Sequence, residues 1–600
     1  MPRIDEMPEH RAKLPHSTHV LSHSLGLTST VAHLQPIFHT LMDAGDSIEL
    51  GVQFTLRTQP LAAAAMEDID CHVEYFFVPM FLLYQPFGSM YYQIEDEFSS
   101  NFDMSQLALN KGNFPVWDWD SIYYDLQDKR NSFPYTQNLV PIGESFGAMS
   151  YRLLDLFHFH VEPYFFDANT YDIQNNQSPY EPNVFPYQFL AYHCIYQYRY
   201  RLDSRERFNN KSFNWDRFYN TAQVQLTSQE TIDLFTLHYR PKNDDYFTNI
   251  KPSPIVDVLN LLDKTQLATT NLWLSREVNS LGPVLSSGSV GNSSTPPNLQ
   301  TSPSAFVQTE FGFSKTDAFD RQTAFRNGLD INTANIRAMF ANEKLWSITG
   351  RAKKHYDDQT LAHFGFKPKH DVKHEITQFG HDHTIIKIGE VISTASTATA
   401  DLGSIAGKGY AHLEPNKHVF HAPVHGVVMV ILSFNPRLRY IDTFGKYNSV
   451  TGRLSLPVPE YDHLGMQPLF RYEYMINGIG GGPISDIMGW QYRYEEWKRR
   501  FNRVTSAFRS GNPLYTWMVA VHPFLSNQSN GANTSSFADF VYLPNVLNSI
   551  MLAQYSLTWN TAWETNASMI YDLDPFVVDC QIDCKLHSWM SDYSLPRLDA

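Results

Sequence analysis

The chain has 600 residues, of which 43% are hydrophobic and only 18% charged, and its net charge is -16. This hydrophobic content can bury a large core, which excludes wholesale disorder, and the low charged fraction excludes a coiled-coil rod. The acidic balance argues against general polyanion binding, because such binding needs a surplus of Lys and Arg at the contact. The 33 Tyr and 41 Phe favour β structure and contact surfaces.

The N-terminus and the cysteines indicate where the protein is made. Residues 1–13 are polar and mixed in charge, which predicts no signal peptide. The longest apolar run, residues 426–434, is about half as long as a membrane span. Cys580 and Cys584 would share one face of a strand, too far apart for a disulfide, and only Cys71 and Cys194 accompany them. We expect reduced core cysteines in a soluble protein made in a cytoplasm.

Several segments alternate apolar and polar residues with a period of two, which predicts strands with one solvated face. The clearest are residues 48–56 and 576–586. Residues 73–78, 424–434 and 515–521 are predicted to be less exposed strands. Because these strands are spread from one end of the chain to the other, they indicate one large β core.

Long stretches without strand character separate the predicted strands. Residues 131–187 are rich in Pro, Asn, Tyr and Phe, with one short helical patch at 150–157. Residues 253–319 begin with a helix-like run at 255–262 and continue in Ser, Thr, Gly and Pro. Residues 332–354 have the strongest helical pattern. We interpret these three stretches as insertions, since loops this long are functional, disordered or small substructures in their own right.

The sequence predicts no metal, no cofactor and no catalytic residues. His381 and His383 would put two imidazoles on one face of a strand, but solvated or core histidines are the favoured interpretation. The Gly-rich residues 478–483 lack the Lys and Ser or Thr that continue a phosphate-binding loop. The segment 355–383, which contains this pair, is rich in histidine: His355, His363, His370, His374, His381 and His383.

Two segments, residues 198–201 and 490–503, combine arginine with aromatic residues against the acidic background. Single-stranded nucleic acid is bound by this combination, with charge for the backbone and rings for stacked bases. The alternative is a subunit contact, in which arginine stems cover aromatic surface and pair with carboxylates, and it is the favoured one. The candidate DNA-contact residues are Arg199, Arg201, Arg499 and Arg500.

Several short motifs follow one another along the chain. They include EYFFVP at residues 74–79, AYHCIYQ at 191–197, DYFT at 245–248, DHLG at 462–465 and GWQYRYEE at 489–496. In this order they resemble motifs of the major capsid proteins of the Microviridae, the small single-stranded DNA bacteriophages, and especially of their gokushovirus-like branch. The chain departs from that family at residues 351–354, where the family commonly has an Arg-Gly-Gly run, and throughout 131–187 and 265–314.

The resemblance implies a mainly β fold, a single eight-stranded antiparallel jelly roll spanning residues 1–600, with large loop and helical insertions between strands. It implies a structural protein and not an enzyme, which self-assembles through pentamers into a T=1 icosahedral shell around a circular single-stranded DNA genome. In gokushovirus-like relatives one insertion forms a protrusion at the threefold axis. From its length and composition we expect residues 253–319 to form it, with candidate residues Ser286, Gly288, Asn292 and Pro296.

The resemblance also implies partners and a location. The partners are copies of the chain itself, the single-stranded DNA genome, a small basic internal DNA-binding protein, vertex and pilot proteins, and a host surface receptor. We expect the chain in the virion, without membrane insertion, after synthesis in the cytoplasm of a bacterial host. Because the basic internal protein would neutralise most of the genome, only a few local DNA contacts are expected, at the four candidate arginines.

The alternative function is an aromatic-rich β-sandwich enzyme or lectin that acts on carbohydrate, because jelly rolls also host such sites. It predicts a monomer with two carboxylates that converge in an aromatic cleft. A third alternative, a non-viral structural protein, would assemble but would enclose no DNA.

Overall fold

The computed structural model describes residues 16–92, 114–159, 185–200, 223–249, 356–392, 405–474, 487–518 and 574–590, apart from short gaps within these ranges and a few isolated positions elsewhere. Its main element is an antiparallel sheet of ten strands. These strands are β1 (Ser17–Val20), β2 (His23–Ser29), β3 (Gln35–Met42), β4 (Ser47–Thr58), β5 (Ile69–Pro79), β10 (Thr377–Ile392), β11 (Ile405–Leu413), β12 (His418–His421), β13 (Gly426–Pro436) and β16 (Phe576–Ser588).

Three small two-stranded sheets accompany the main one. They pair β6 (Val116–Trp117) with β9 (Gln223–Val224), β7 (Thr136–Gln137) with β8 (Val140–Pro141), and β14 (Met466–Phe470) with β15 (Ile487–Tyr492). In the main sheet the strand order is β1-β16-β4-β11-β10-β5-β13-β3, and β12 and β2 pair in addition with β4 and β16. One half of the sheet contains β1, β2, β4, β11, β12 and β16, and the other contains β3, β5 and β13. The long strand β10 joins these halves, because its first part pairs with β5 and its last part with β11.

Alternating residues of β4 and β16 form the buried face of one half of the sheet. In β4, Leu50, Val52 and Phe54 are fully buried while their neighbours point to the other face. β16 repeats this pattern over its whole length and buries Cys580 and Cys584 on the same face. Both thiols are free, and burial raises their pKa to about 12. The period-two prediction for both strands and the prediction that these cysteines lie in the core are confirmed.

Strands β5 and β13 are buried on both faces, because helices cover the side of the sheet that faces away from β4. Every residue of β13 is buried, and in β5 all but His72 are. The short helices are α1 (Met80–Leu83), α2 (Phe87–Tyr92), α3 (Trp119–Asp128), α4 (Phe146–Leu156), α5 (Tyr187–Ile195), α6 (Ser228–Phe235), α7 (Tyr356–Phe364), α8 (Arg471–Tyr474) and α9 (Glu495–Lys498). Helix α5 packs on β5 and β13, and its Phe189 packs in tilted and edge-to-face contacts with Trp119, Phe157 and Phe235.

The fold class predicted from the sequence is confirmed: the protein is mainly β, with helical insertions between strands. The main sheet has two strands more than the eight expected, because β1 and β2 pair with the free edge of β16. The helical patch predicted at 150–157 overlaps α4. None of the described helices is both long and apolar enough to cross a lipid bilayer.

The strand predicted at residues 515–521 is wrong where the structure describes it. Trp517 and Met518 lie in a turn and a bend, and the Trp517 amide donates to the Leu514 carbonyl. Local turn hydrogen bonds therefore replace a strand ladder despite the apolar composition. The predicted helix at 255–262 and the whole stretch 253–319 lie outside the described residues, as does nearly all of 332–354.

A buried ion pair ties an insertion to the C-terminal strand. Arg152 of α4 binds Asp574 in a bidentate manner, with both N–O distances at 2.8 Å. The two side chains are only 3% and 1% exposed. The Thr28 hydroxyl of β2 donates to the same carboxylate. Three segments far apart in sequence therefore meet at one carboxyl group.

We predict that Asp574→Asn lowers the free energy of unfolding by about 3–5 kcal/mol, because it leaves the buried Arg152 without its counter-ion. Glu49→Gln is the matched control, since it breaks the surface pair between Glu49 and Lys417, whose side chains are 26% and 64% exposed. Its effect should be too small to measure, because solvent screens such pairs. Urea unfolding followed by tryptophan fluorescence measures both, and equal effects of the two variants would contradict the prediction.

Two buried histidines are kept neutral by folding. His33 stacks on Tyr239, and His238 lies parallel to the Tyr196 ring with 3.6 Å between ring centroids. Burial lowers the pKa of both histidines well below the ordinary value, and the charge of Arg152 adds to the effect on His33. Protonation of either ring would place a positive charge in a buried site, which desolvation makes unfavourable.

We predict that the free energy of unfolding decreases as the pH falls below about 6.5, because the unfolded chain then binds protons that the folded chain excludes. Each histidine contributes up to about 1.4 kcal/mol per pH unit in this range. Urea unfolding at about pH 7.5 and about pH 5.5 measures the loss. His238→Phe keeps the stacked ring but cannot titrate, so the pH dependence should become smaller. An unchanged pH dependence in this variant would count against the mechanism.

Candidate nucleic-acid interface

The first basic-aromatic segment follows α5 as a π-helical turn, Tyr196–Tyr200. Tyr196 and Tyr200 are buried, whereas 41% of the Arg199 side chain is exposed. One guanidinium nitrogen of Arg199 lies 3.8 Å from Glu74 Oε1 of β5. Part of the Arg199 charge is therefore balanced within the chain. Arg201 lies outside the described residues.

Glu74 is the centre of this first cluster. Its carboxylate is buried on the helix-covered face of β5, where it accepts hydrogen bonds from the Tyr200 hydroxyl and from Arg240 Nη1, the latter at 2.6 Å. Burial by itself would raise the pKa of Glu74, but the charge of Arg240 and the Tyr200 hydrogen bond outweigh it and hold the pKa below the ordinary value. Arg240 also donates to Ser433 of β13 and lies over the Tyr200 ring.

The second segment follows the β14–β15 hairpin. Tyr494 adopts a left-handed conformation with φ of 60°, which turns the chain from β15 into α9. Gln467 of β14 fixes this turn, because its side chain accepts from the Tyr494 amide and donates to Glu496. One turn later Arg499 Nε lies 2.9 Å from Glu495, whose side chain is buried. Arg499, like Arg199, has an internal carboxylate partner.

Arg500 differs from Arg199 and Arg499. Its guanidinium lies 4.0 Å from the centroid of the Tyr447 ring, and within the described part of the chain it forms no ion pair. Arg503 donates to the Tyr447 hydroxyl, and Trp497 is exposed nearby on α9, which packs on the turn that contains Tyr447. We call Tyr447, Trp497, Arg500 and Arg503 the Arg500 surface. It presents two guanidinium groups and the Trp497 ring to solvent, with the half-buried Tyr447 ring beneath Arg500.

The Arg500 surface rests on an aromatic cluster. Phe501 packs against Tyr246 and Phe247, and Phe247 also packs against Tyr440. The Tyr440 hydroxyl donates to Asp245. The DYFT motif therefore packs against Phe501, the residue that follows Arg500.

The histidine pair of β10 lies as the alternation predicted. His381 and His383 share one face with His72 of β5, and the His72 ring lies within 5.3 Å of each, measured between centroids. Asp382 points to the opposite face, where it accepts from the Tyr75 hydroxyl and from Asn416. Burial lowers the pKa of His72 to about 3, so its ring is neutral at neutral pH.

Other candidates fall outside the described residues: His355 and His370, the Gly-rich residues 478–483, and the protrusion candidates Ser286, Gly288, Asn292 and Pro296. Sequence reasoning missed Glu74, Arg240 and Tyr447. A glutamate inside the apolar run of β5 was a usable signal, because a buried carboxylate needs a partner. Nothing near Tyr447 in the sequence marks it as the ring beneath Arg500.

Comparison with known proteins gives two findings. A family model described as capsid protein (F protein) matches residues 10–115 and 178–532. The chain is also similar to "Capsid protein VP1" of Chlamydia phage 1, with 24% identity over 248 residues. The aligned region covers 40% of this chain and 39% of that relative, so the chain spans well under two thirds of the relative's length.

Proposed function

The chain belongs to the capsid protein (F protein) family, and on this premise we propose that it assembles through pentamers into a T=1 icosahedral shell around a circular single-stranded DNA genome. The observation that carries the proposal is the match of the family model to two long stretches of the chain, residues 10–115 and 178–532. A structural role follows from this membership. The resemblance of the motifs to gokushovirus-like capsid proteins supports the finer statement about pentamers and genome.

The topology suits a shell subunit. The neighbouring strands β5 and β10 are separated in sequence by residues 80–376. Residues 437–575 separate β13 from β16, the next strand of the main sheet along the chain. Long insertions of this kind leave the sheet intact, because the cost of closing a loop rises only slowly with its length. Insertions supply contact area that a bare sandwich lacks, and cyclic contacts between copies close into a finite shell. We propose that residues 253–319 form the protrusion at the threefold axis.

The Arg500 surface is the part of the described chain that best suits contact with single-stranded DNA. Arg500 has no carboxylate partner there, and its guanidinium and the exposed Trp497 ring offer planar groups for stacking, as single-stranded DNA binding requires. Arg199 and Arg499 suit it less, because Glu74 and Glu495 already balance part of their charge. The net charge of -16 fits a chain that makes only local DNA contacts and leaves most neutralisation to a small basic internal protein.

The remaining proposed partners come from the family resemblance. They are vertex and pilot proteins and a receptor on the bacterial host, which would meet the assembled virion. Synthesis would take place in the host cytoplasm.

We predict that the expressed full-length chain sediments as pentamers or as closed shells, since family members act by self-association. Analytical ultracentrifugation and electron microscopy of the purified protein measure this directly. A monomer that shows no association and that hydrolyses glycosidic bonds would instead support the carbohydrate-active alternative.

We predict that Arg500→Ala lowers the affinity for single-stranded DNA about 5- to 150-fold, matching ~1–3 kcal/mol for one lost stacking and charge contact. Arg499→Ala is the matched control and should have a smaller effect, because Glu495 already pairs with that guanidinium. The DNA-to-protein absorbance ratio of purified particles gives a second readout. If both variants bind single-stranded DNA as the wild type does but fail to assemble, the segment is a subunit contact.

A further inference from the structure

The structure groups three side chains of metal-binding type on the face of strands β5 and β10 that also carries Glu74. Asp70 and His72 are two residues apart on β5, and His383 is paired directly with His72 across the ladder. Residues so placed point to the same face of a sheet. One donor atom from each of Asp70, His72 and His383 lies within 4.8 Å of the other two.

The hydrogen bonding of His72 leaves one ring nitrogen available. Its Nδ1 lies 3.1 Å from His381 Nε2, and its buried Nε2 has no hydrogen-bond partner among the described residues. If Nε2 carried the proton, a buried donor would go unsatisfied, which is unfavourable. The favoured arrangement is that Nδ1–H donates to His381, so that Nε2 keeps its lone pair. Metal-bound histidines are oriented in this way by a partner on the other ring nitrogen.

The other two side chains are also arranged compatibly with a metal ion. His383 Nε2 lies 3.1 Å from Asp70 Oδ1, and Arg437 Nε donates to the other oxygen, Oδ2, at 3.2 Å. A cation could replace the His383 proton between nitrogen and Oδ1, while Arg437 continues to hold Oδ2. The second Arg437 bond, from Nη2 to Oδ1 at 3.1 Å, would weaken, and its positive charge opposes a cation. We therefore expect micromolar and not nanomolar affinity.

We propose that Asp70, His72 and His383 bind one divalent transition-metal ion of the zinc class, with His381 as the residue that orients His72. Two imidazoles and one carboxylate form a donor set that Zn²⁺ accepts, with water at the fourth position. Such an ion would brace β5 against β10 beside the Glu74 cluster. This inference departs from the sequence expectation of no metal, because Asp70 and His72 lie about 310 residues before His383 in the chain and outside the histidine-rich stretch.

The test uses the full-length protein, freed of metal with a chelator and titrated with Zn²⁺ by calorimetry and with Co²⁺ by visible absorption. We expect one ion per chain at this site. His383→Gln should weaken its binding more than tenfold, since it removes a ligand that is exposed and not needed for the core. His381→Gln should weaken binding about tenfold, as loss of an orienting partner does.

His412→Gln is the matched control. His412 is an exposed histidine of β11 that lies beside Thr55 and takes no part in the cluster, so this variant should bind as the wild type does. Circular dichroism confirms that each variant is folded. If the wild type binds no Zn²⁺, or if His383→Gln and His412→Gln give the same isotherm, the proposed site is refuted.

Discussion

The buried carboxylate of Glu74 holds the helical insertions on the sheet. β5 lies between β10 and β13, and Glu74 places a buried carboxylate on the face of β5 that the helices cover. Tyr200, from the end of α5, and Arg240, beyond α6, both bind it. Removing a carboxylate from water is unfavourable, so its partners must be held in place to offset the loss. The same requirement fixes the position of α5, and with it the first basic-aromatic segment.

The sheet tolerates insertions because its own contacts do not depend on chain proximity. Two neighbouring strands, β5 and β10, are joined through almost three hundred intervening residues, yet their register is continuous except for one bulge near Gly380. The bidentate pair of Arg152 and Asp574 likewise joins residues that lie far apart in the chain, just before β16 begins. In a capsid subunit this arrangement lets the sheet serve as a rigid frame while the insertions vary and make contacts.

Charge in this acidic protein is distributed unevenly. Arg152, Arg240, Arg437 and Arg499 each have a carboxylate partner within the described chain, and they therefore contribute little field at the surface. Arg500 faces a tyrosine ring instead. Under the proposed function, a few such cationic positions would provide local contacts to a polyanion for a chain whose overall charge repels it.

The sequence by itself determined the elements with strong local patterns. Period-two alternation located β4 and β16, the face shared by His381 and His383, and the burial of the cysteines, because a strand forces neighbouring side chains to opposite faces. The arginine-aromatic spacing marked Arg199 and Arg500, but not their partners. Only the tertiary structure decided that Glu74 pairs with Arg240, that Tyr447 lies beneath Arg500, and that Asp70 meets His383. These pairs are separated by tens to hundreds of residues, and strand register and helix packing, which no local pattern encodes, bring them together. For the same reason residues 515–521, apolar enough for a strand, turn where they are described: a strand needs a neighbouring edge, and its own sequence cannot supply one.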